Sequence, residues 1–272
     1  MENSYEQPKL KIETIKGPEG SEVSFCPERG GVIISIKSKK GEEILYMEPD
    51  TLADKTKNVR GGIPILFPNA GPIKEGKYPL PQHGYARTSD KWEIESAENG
   101  EFSEKLSPDD DMMKLFPYDL KLRMKAVMEE DGSVSLSQEV RNEEKEKKLP
   151  VSMGLHPYFR VPNSKKKDIK FDFEGGKEVE KDFMTWSDGG TTVVDNPKLK
   201  DENAVLRVEI PDLGTLVMNV SKEYRKIWIW TLPEKDFICI EFAMREPGGL
   251  EKDPEMIKPG KTFTAGVNLK ME

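Results

Sequence analysis

The chain has 272 residues, of which 35% are hydrophobic and 34% charged, and its formal net charge is −8. This composition is typical of a globular protein with a heavily charged surface, and the length is ample for a sizeable core. The negative charge argues against nucleic acid as a partner, because its phosphates would be repelled on average.

The N-terminal residues are polar and charged, and no run approaches the ~18 apolar residues of a membrane span. We therefore expect no membrane partner and a cytoplasmic location. Two cysteines, Cys26 and Cys239, each lie in an apolar, strand-like run. Two thiols in a chain of this length do not make a disulfide framework, so both are predicted to be buried and reduced.

Residues 9–49 alternate apolar and polar side chains and break at glycines, a pattern typical of antiparallel hairpins. The stretch from Val59 to Trp92 differs, because five prolines and five glycines surround two arginines and one histidine, His83. Proline fixes φ, and glycine opens φ values that other residues avoid. The stretch is therefore predicted to be an irregular segment that presents a few side chains in set positions.

Strand and turn patterns resume after this segment. Hairpins are predicted about Asn99-Gly100 and about Asp131-Gly132, the second a strong two-residue turn signal. Between them, Ser107 is predicted to cap a short helix that Pro117 closes. A dozen or more strands with barely one helix predict an all-β protein in which sheet packs on sheet. No repeat or linker divides the chain, so one domain is expected over residues 1–272.

Three polar residues lie in apolar, constrained settings. The chain has only two histidines, His83 and His156, and each is flanked by glycine, proline and aromatic residues. Histidine titrates near neutrality, which suits proton transfer. Glu241 lies in the apolar run FICIEFAM, where strand alternation puts it on one face with Cys239 and Ala243. Such a carboxylate needs a partner or a function; it is either a structural ion-pair or edge residue, or part of a site with the histidines.

Five motifs now identify a resemblance: VRGGIPILFPNAGP, LPQHGYAR, LFPYDL, GLHPYF and ICIEF. In this order and at these spacings, they resemble the aldose 1-epimerase (galactose mutarotase-like) family. The likeness runs from about residue 9 to residue 271 and is nearest to the glucose-6-phosphate 1-epimerase branch. After Glu241 the family often continues with Pro-Gly or Pro-Trp, whereas this chain has Phe242-Ala243.

The resemblance implies a large antiparallel β-sandwich, the galactose mutarotase-like supersandwich, with a sugar-binding cleft on one sheet face. Family members interconvert the α and β anomers of an aldose, here a hexose or a hexose 6-phosphate. By this resemblance Glu241 takes the proton from the C1 hydroxyl, His156 protonates the ring oxygen, and His83 hydrogen-bonds the sugar. No cofactor and no metal is implied.

The resemblance also implies further substrate contacts. Gln82 belongs to the motif that carries His83, and Arg60 and Arg87 match arginines that bind phosphate in the phosphohexose branch. Family members carry an aspartate that binds sugar hydroxyls. The candidates for this role in the present sequence are Asp182, Asp188 and Asp195, of which Asp195 is the one predicted.

Two other functions stay open. A non-catalytic sugar-binding module on the same fold would stack aromatic rings on a sugar, although the presence of both histidines and Glu241 favours the enzyme. The aromatic candidates are Phe67, Tyr85, Tyr158 and Trp186. A β-rich metal enzyme of the cupin kind would need clustered histidines, whereas the two histidines here are 73 residues apart.

Overall fold

The computed structural model describes residues 10–73, 76–195 and 204–272. Within these ranges, short helices connect many strands. The α-helices are α1 (Pro49–Ala53), α2 (Asp110–Leu115), α3 (Gly176–Lys181), α4 (Phe183–Ser187) and α5 (Gly249–Lys252). The strands are β1 (Glu13–Lys16), β2 (Glu22–Cys26), β3 (Val32–Lys37), β4 (Ile65–Leu66), β5 (Glu93–Glu98), β6 (Glu101–Leu106), β7 (Leu120–Met128), β8 (Val134–Asn142), β9 (Leu149–Val151), β10 (Gly154–Leu155), β11 (Tyr158–Arg160), β12 (Lys170–Asp172), β13 (Thr192–Asp195), β14 (Ala204–Ile210), β15 (Gly214–Val220), β16 (Lys226–Trp230), β17 (Phe237–Ala243), β18 (Glu255–Ile257) and β19 (Thr262–Met271).

The strands form two large sheets and two small ones. The largest has eight strands in the order β12-β14-β15-β19-β8-β7-β6-β5. The second has six, in the order β13-β16-β17-β10-β4, with β11 also paired to β17. A three-stranded sheet, β1-β2-β3, and a pair, β18-β9, accompany them. The paired strands of both large sheets run antiparallel.

Both large sheets contribute to one hydrophobic core. On β7 and β8, buried residues alternate with half-buried ones, so one face of the eight-stranded sheet packs inward. Leu122 and Leu136 on that face belong to the same apolar cluster as Ile229, Ile240 and Phe242 of the six-stranded sheet. The fold is therefore all-β, an antiparallel sandwich, as the alternation predicts. Its extent as one domain over residues 1–272 stays a prediction.

Both predicted hairpins are present, but only the first has a two-residue turn, because residues 129–133 lie between β7 and β8. β5 and β6 join at Asn99-Gly100, and β7 and β8 join around Gly132, which has a φ of +84°. The short helix is also present, but its predicted cap is wrong. Asp109, rather than Ser107, precedes α2, and its carboxylate accepts hydrogen bonds from two backbone N–H groups of the first turn. Ser107 lies two residues too early to reach these groups.

The segment Val59–Trp92 is irregular, as predicted. Among the residues of this segment that the structure describes, the regular elements are β4 and a 3-10 turn at Ala86–Thr88. It lies over the face of the six-stranded sheet that points away from the core, where Leu66 and Ala70 pack against Trp228 of β16. This cover explains why every residue of β17 is buried, on both faces of the strand.

Two further expectations concern the cysteines and helices that could cross a membrane. Cys26 and Cys239 are both buried and free, as predicted. In the part of the chain that the structure describes, no helix combines the length and apolar character needed to cross a membrane.

Candidate active site

A cavity of about 370 Å³ lies between the irregular segment and the outer face of the six-stranded sheet. The sheet contributes Glu241, Tyr158, Trp228 and Trp230, and His156 follows β10 directly. The irregular segment and its neighbours contribute the opposite wall. That wall includes Arg60, Gly71, Gln82, His83 and Arg87.

Strand register explains why the sheet residues converge. Glu241 of β17 pairs with Trp228 of β16, and Cys239 pairs with both Trp230 and Tyr158. Directly paired residues point to the same face, so one face carries the carboxyl group and three aromatic rings. The intervening residues, such as Ile240, point into the core. The predicted alternation along FICIEFAM therefore places Glu241 in the cavity.

Glu241 and His156 form a buried pair. Glu241 is 3% exposed and His156 5% exposed, and Nε2 of His156 lies 3.3 Å from Oε1 of Glu241. Burial raises the pKa of Glu241 to about 8, although the charge of Arg87 opposes this rise. Burial, with His83 and Arg87 nearby, holds the pKa of His156 well below its usual value. The low polarity around the pair therefore disfavours both charged forms.

The pair also retains unused hydrogen-bonding capacity. Oε2 of Glu241 and Nδ1 of His156 have no hydrogen-bond partner among the described residues. The His156 ring stacks on Tyr158 with ring centroids 4.7 Å apart, which fixes its plane. Buried polar atoms without partners cost free energy unless a ligand or water satisfies them. The arrangement is thus one acid–base pair with room for a polar ligand.

His83 reaches the cavity because of its backbone. Its φ is +67°, a left-handed conformation that is uncommon outside glycine and costs free energy at a functional position. The ring centroid lies 5.4 Å from that of His156. Burial and the neighbouring Arg87 lower the pKa of His83 to about 3, so its ring is neutral near pH 7. Gln82 lies beside it, with side-chain nitrogens 3.1 Å apart.

The two arginines differ in their partners. Among the described residues Arg87 forms no ion pair, and its Nε is buried without a hydrogen-bond partner. Arg60 lies 3.6 Å from the Glu48 carboxylate, which also binds Lys235 at 3.1 Å. The side chain of Arg60 remains 39% exposed. Arg87 therefore lies inside the cavity with unused donors, and Arg60 stands at its edge in a shared ion pair.

Asp195 lies on β13, where it forms an ion pair with Lys226 of β16 at 2.7 Å. Its side chain is 68% exposed and is not among the described residues that line the cavity. Asp182 is bound to Thr185 and Thr192, and Asp188 is exposed. The sugar-contact role predicted for Asp195 stays a prediction, and the geometry brings none of the three to the described cavity wall.

The aromatic candidates for stacking on a sugar differ in their location. Tyr158 lines the cavity, whereas Phe67, Tyr85 and Trp186 are buried elsewhere. Trp228 and Trp230 line the wall, and sequence reasoning did not select them. Their spacing of two in KIWIW, which puts both on one face of β16, is the signal that would have found them. In the described ranges, no group of three His, Cys, Asp or Glu side chains is arranged to hold a metal ion.

Comparison with known proteins now decides the family. The sequence model of the aldose 1-epimerase family matches residues 11–270. The chain belongs to the aldose 1-epimerase family. A Cenchrus ciliaris protein named "Putative glucose-6-phosphate 1-epimerase" is 25% identical over 94% of this chain and 87% of that protein. The plasmid form of Protein LacX from Lactococcus lactis is 26% identical over 84% of this chain and 89% of that protein.

Solved structures share the fold of this family member. The Slr1438 protein from Synechocystis sp. PCC 6803 matches with a TM-score of 0.83 at 23% identity, covering 99% of both chains. The galactose mutarotase related enzyme from Lactobacillus acidophilus matches with a TM-score of 0.75 at 19% identity, covering 96% of this chain and 97% of that one. The galactose mutarotase-like fold implied by the resemblance is confirmed, and the family is one of isomerases.

Proposed function

We propose that this protein interconverts the α and β anomers of a hexose or hexose 6-phosphate by acid–base ring opening. One observation carries the proposal: the contact of 3.3 Å between Glu241 and His156 inside a cavity that also holds His83. The cavity volume of about 370 Å³ falls within the ~300–1,000 Å³ typical of small-molecule sites. A positioned acid and base each contribute typically ~10²–10⁴ in rate.

The proposed reaction moves two protons and breaks one bond. The Glu241 carboxylate takes the proton of the C1 hydroxyl while the bond between C1 and the ring oxygen breaks. The bonding electrons go to the ring oxygen, which takes a proton from the imidazolium of His156. The open-chain aldehyde then rotates about its C1–C2 bond, and reversal of both transfers closes the ring on the other face of C1.

The buried pair suits this exchange because it holds one proton in either of two forms. Before ring opening the proton is on His156 and Glu241 is ionised; afterwards Glu241 is protonated and His156 is neutral. Burial favours the second, uncharged form, which accompanies the open-chain aldehyde. Direct contact between Nε2 and Oε1 gives the proton a short path by which the pair is reset.

A non-catalytic sugar-binding module explains this pair less well. Hydroxyl recognition is served by exposed or partly exposed amides and rings, and it does not need two ionisable groups buried against each other. Burying such groups carries a large desolvation cost. A reaction that transfers protons benefits from the burial of Glu241, because the pKa of this carboxyl group then moves from 4.5 toward the working pH.

The charge around the cavity supports a phosphorylated substrate. With Glu241 protonated and both histidines neutral, Arg60 and Arg87 are the charged groups among the described residues that line the cavity. Nε of Arg87 has no partner among the described residues, and guanidinium groups bind phosphate by paired hydrogen bonds. A local positive site would attract a hexose 6-phosphate although the whole chain is negative.

Exchange NMR on α- and β-glucose and on their 6-phosphates tests the proposal, because cross-peaks between anomers report interconversion at equilibrium. We expect catalysed exchange for both sugars, with a higher kcat/KM for the phosphate. Arg87→Ala should erase the difference and spare the free sugar, whereas Arg160→Ala, which removes an exposed arginine outside the cavity, should change neither. Exchange at the uncatalysed rate for every hexose and hexose phosphate would refute the proposed function. Equal kcat/KM for glucose and glucose 6-phosphate would refute the phosphate site alone.

A further inference from the structure

Asn69 lies in the irregular segment and is only 1% exposed. Its side-chain Nδ2 donates a hydrogen bond of 2.8 Å to the backbone carbonyl of Gly71. A carbonyl only accepts, so the amide must present its NH₂ group to Gly71. Its Oδ1 has no hydrogen-bond partner among the described residues, so this donation is the polar contact that holds the side chain in place.

Gly71 in turn holds His83 at two points. Its N–H donates to Nδ1 of the His83 ring at 3.0 Å, and its carbonyl accepts from the His83 backbone N–H at 3.0 Å. Gly71 has a φ of +78°, and a Cβ there would lie 3.0 Å from the Trp228 ring. A side chain would therefore be strained at this position, and glycine has none to restrain its own backbone. The hydrogen bond from Asn69 supplies that restraint.

The hydrogen bond to Nδ1 decides where His83 carries its proton. In a neutral imidazole one nitrogen accepts and the other donates, so an accepting Nδ1 leaves the proton on Nε2. Nε2 faces the exposed side chain of Gln82, and both residues line the cavity. Rotation of the Gln82 amide by half a turn brings its oxygen to the ring N–H. His83 thus presents a donor, rather than an acceptor, to a bound sugar.

We propose that Asn69 is a positioning residue that, through the backbone of Gly71, fixes the tautomer in which His83 offers its Nε2–H to the cavity. The tautomer follows from the hydrogen bonds alone. Its effect on catalysis rests on the proposed function and on the hydrogen bond to the sugar that the family resemblance implies for His83.

Asn142 provides a matched control. It is fully buried, and its Nδ2 also donates to backbone carbonyls, those of Lys147 and Ile257, at 2.9 and 2.8 Å. It lies at the end of β8 and does not line the cavity. Replacing either asparagine by alanine removes the same chemical group from a buried place, so a general loss of stability would affect both variants.

Long-range ¹H–¹⁵N correlation spectra of the full chain, labelled with ¹⁵N-histidine, read the tautomers directly. The chain has only two histidines, so His83→Gln assigns both rings. We expect one Nε2–H tautomer for His83 in the unmodified protein and in Asn142→Ala, and a mixture in Asn69→Ala. We also expect kcat/KM to fall in Asn69→Ala in proportion to the Nε2–H fraction that His83 loses, about twofold for an even mixture and less than in His83→Ala.

Asn69→Asp extends the test if the alanine variant does not fold. Its protonated carboxyl can donate to Gly71, whereas its carboxylate repels that carbonyl, so the Nε2–H fraction of His83 should fall as pH rises. A single Nε2–H tautomer at all pH values in a folded Asn69 variant would overturn the proposal, as would an Nδ1–H tautomer in the unmodified protein. An equal change in the tautomers of His83 in Asn142→Ala would also overturn the proposal. If the spectra show the expected tautomers but no anomer exchange is detected, the proposed function is refuted. The role of Asn69 in fixing the His83 tautomer would still stand.

Discussion

Glu104 and Glu241 are both buried carboxyl groups, but only Glu241 faces the cavity. Glu104 lies on β6 with 0% exposure, packs against Gly31, and has no hydrogen-bond partner on either oxygen among the described residues. Burial raises the pKa of each group from 4.5 to about 8. Replacing each by glutamine removes the ionisation and nearly preserves the shape. The two variants therefore separate the thermodynamic consequence of burial from the chemistry of the cavity.

The sign of the stability effect follows from linkage. Between pH 4.5 and 8 the unfolded chain releases the proton of such a carboxyl group while the folded chain keeps it. Folding stability consequently falls as pH rises through this range, and each pKa unit is worth about 1.4 kcal/mol. For one group the loss between pH 5 and pH 8 is about 3–4 kcal/mol. A glutamine variant avoids this loss, so its stability relative to the unmodified protein should grow with pH by that amount.

Urea unfolding at pH 5 and pH 8, followed by circular dichroism, measures this difference, and exchange NMR at pH 7 measures activity. We expect the stability of Glu104→Gln relative to the unmodified protein to rise by about 3–4 kcal/mol from pH 5 to pH 8, with its anomer exchange kept. Glu241→Gln should gain in the same direction and lose exchange at least about a hundredfold. A stability difference for Glu104→Gln that does not change with pH would refute the argument from burial. Equal losses of activity in both variants would refute the assignment of Glu241 as the base.

Three further predictions concern the other cavity residues. His156→Ala should lower kcat/KM at least about a hundredfold, because it removes the proposed acid. His83→Ala should lower kcat/KM only about tenfold, because it removes a single hydrogen bond to the sugar. Equal losses of anomer exchange in the two variants would contradict this assignment. The kcat/KM of the enzyme should fall above about pH 8, because Glu241 there loses the proton that it shares with His156. A catalysed rate that keeps rising to pH 9 would mean that Glu241 and His156 do not work with one shared proton. Glu48→Gln should free Arg60 and Lys235 from their ion pairs and raise the ratio of kcat/KM for glucose 6-phosphate to that for glucose about two- to fivefold, the range expected of a partly exposed ion pair. The rise should be smaller at high salt. An unchanged ratio would place the phosphate elsewhere.

Features encoded by neighbours in sequence could be predicted. Asn99-Gly100 forms the predicted two-residue turn, and Asp131-Gly132 marks a hairpin whose loop is longer than predicted, because turn conformation depends on the residues within the turn. Alternation along FICIEFAM put Glu241 on the face away from the core because side chains along any strand have a period of two. The irregularity of the Val59–Trp92 segment followed from its prolines and glycines. None of these inferences needed knowledge of which strands are neighbours.

Features that depend on distant partners could not be predicted in the same way. Asp195 looked available for a sugar, but the register between β13 and β16 places it against Lys226. Arg60 looked equivalent to Arg87, but Glu48 pairs with only one of them. The region of α3, α4 and β13 gave no clear pattern, because its short elements are stabilised by packing such as that of the buried Trp186 rather than by their own propensity.

The position of the cavity follows from how this sandwich covers its second sheet. A sheet in a sandwich needs only one face in the core, and the other face can remain in water. Here β17 is buried on both faces, because the irregular segment lies over the outer one. Segments rich in glycine and proline cannot pair as strands along their whole length, so this cover leaves a space next to the sheet. The same cover removes water from Glu241 and His156 and moves their pKa values in opposite directions. One structural feature therefore forms the cavity and shifts the pKa values of the proposed acid and base within it, which is why a loss of stability at high pH and a pH-dependent reaction are expected together.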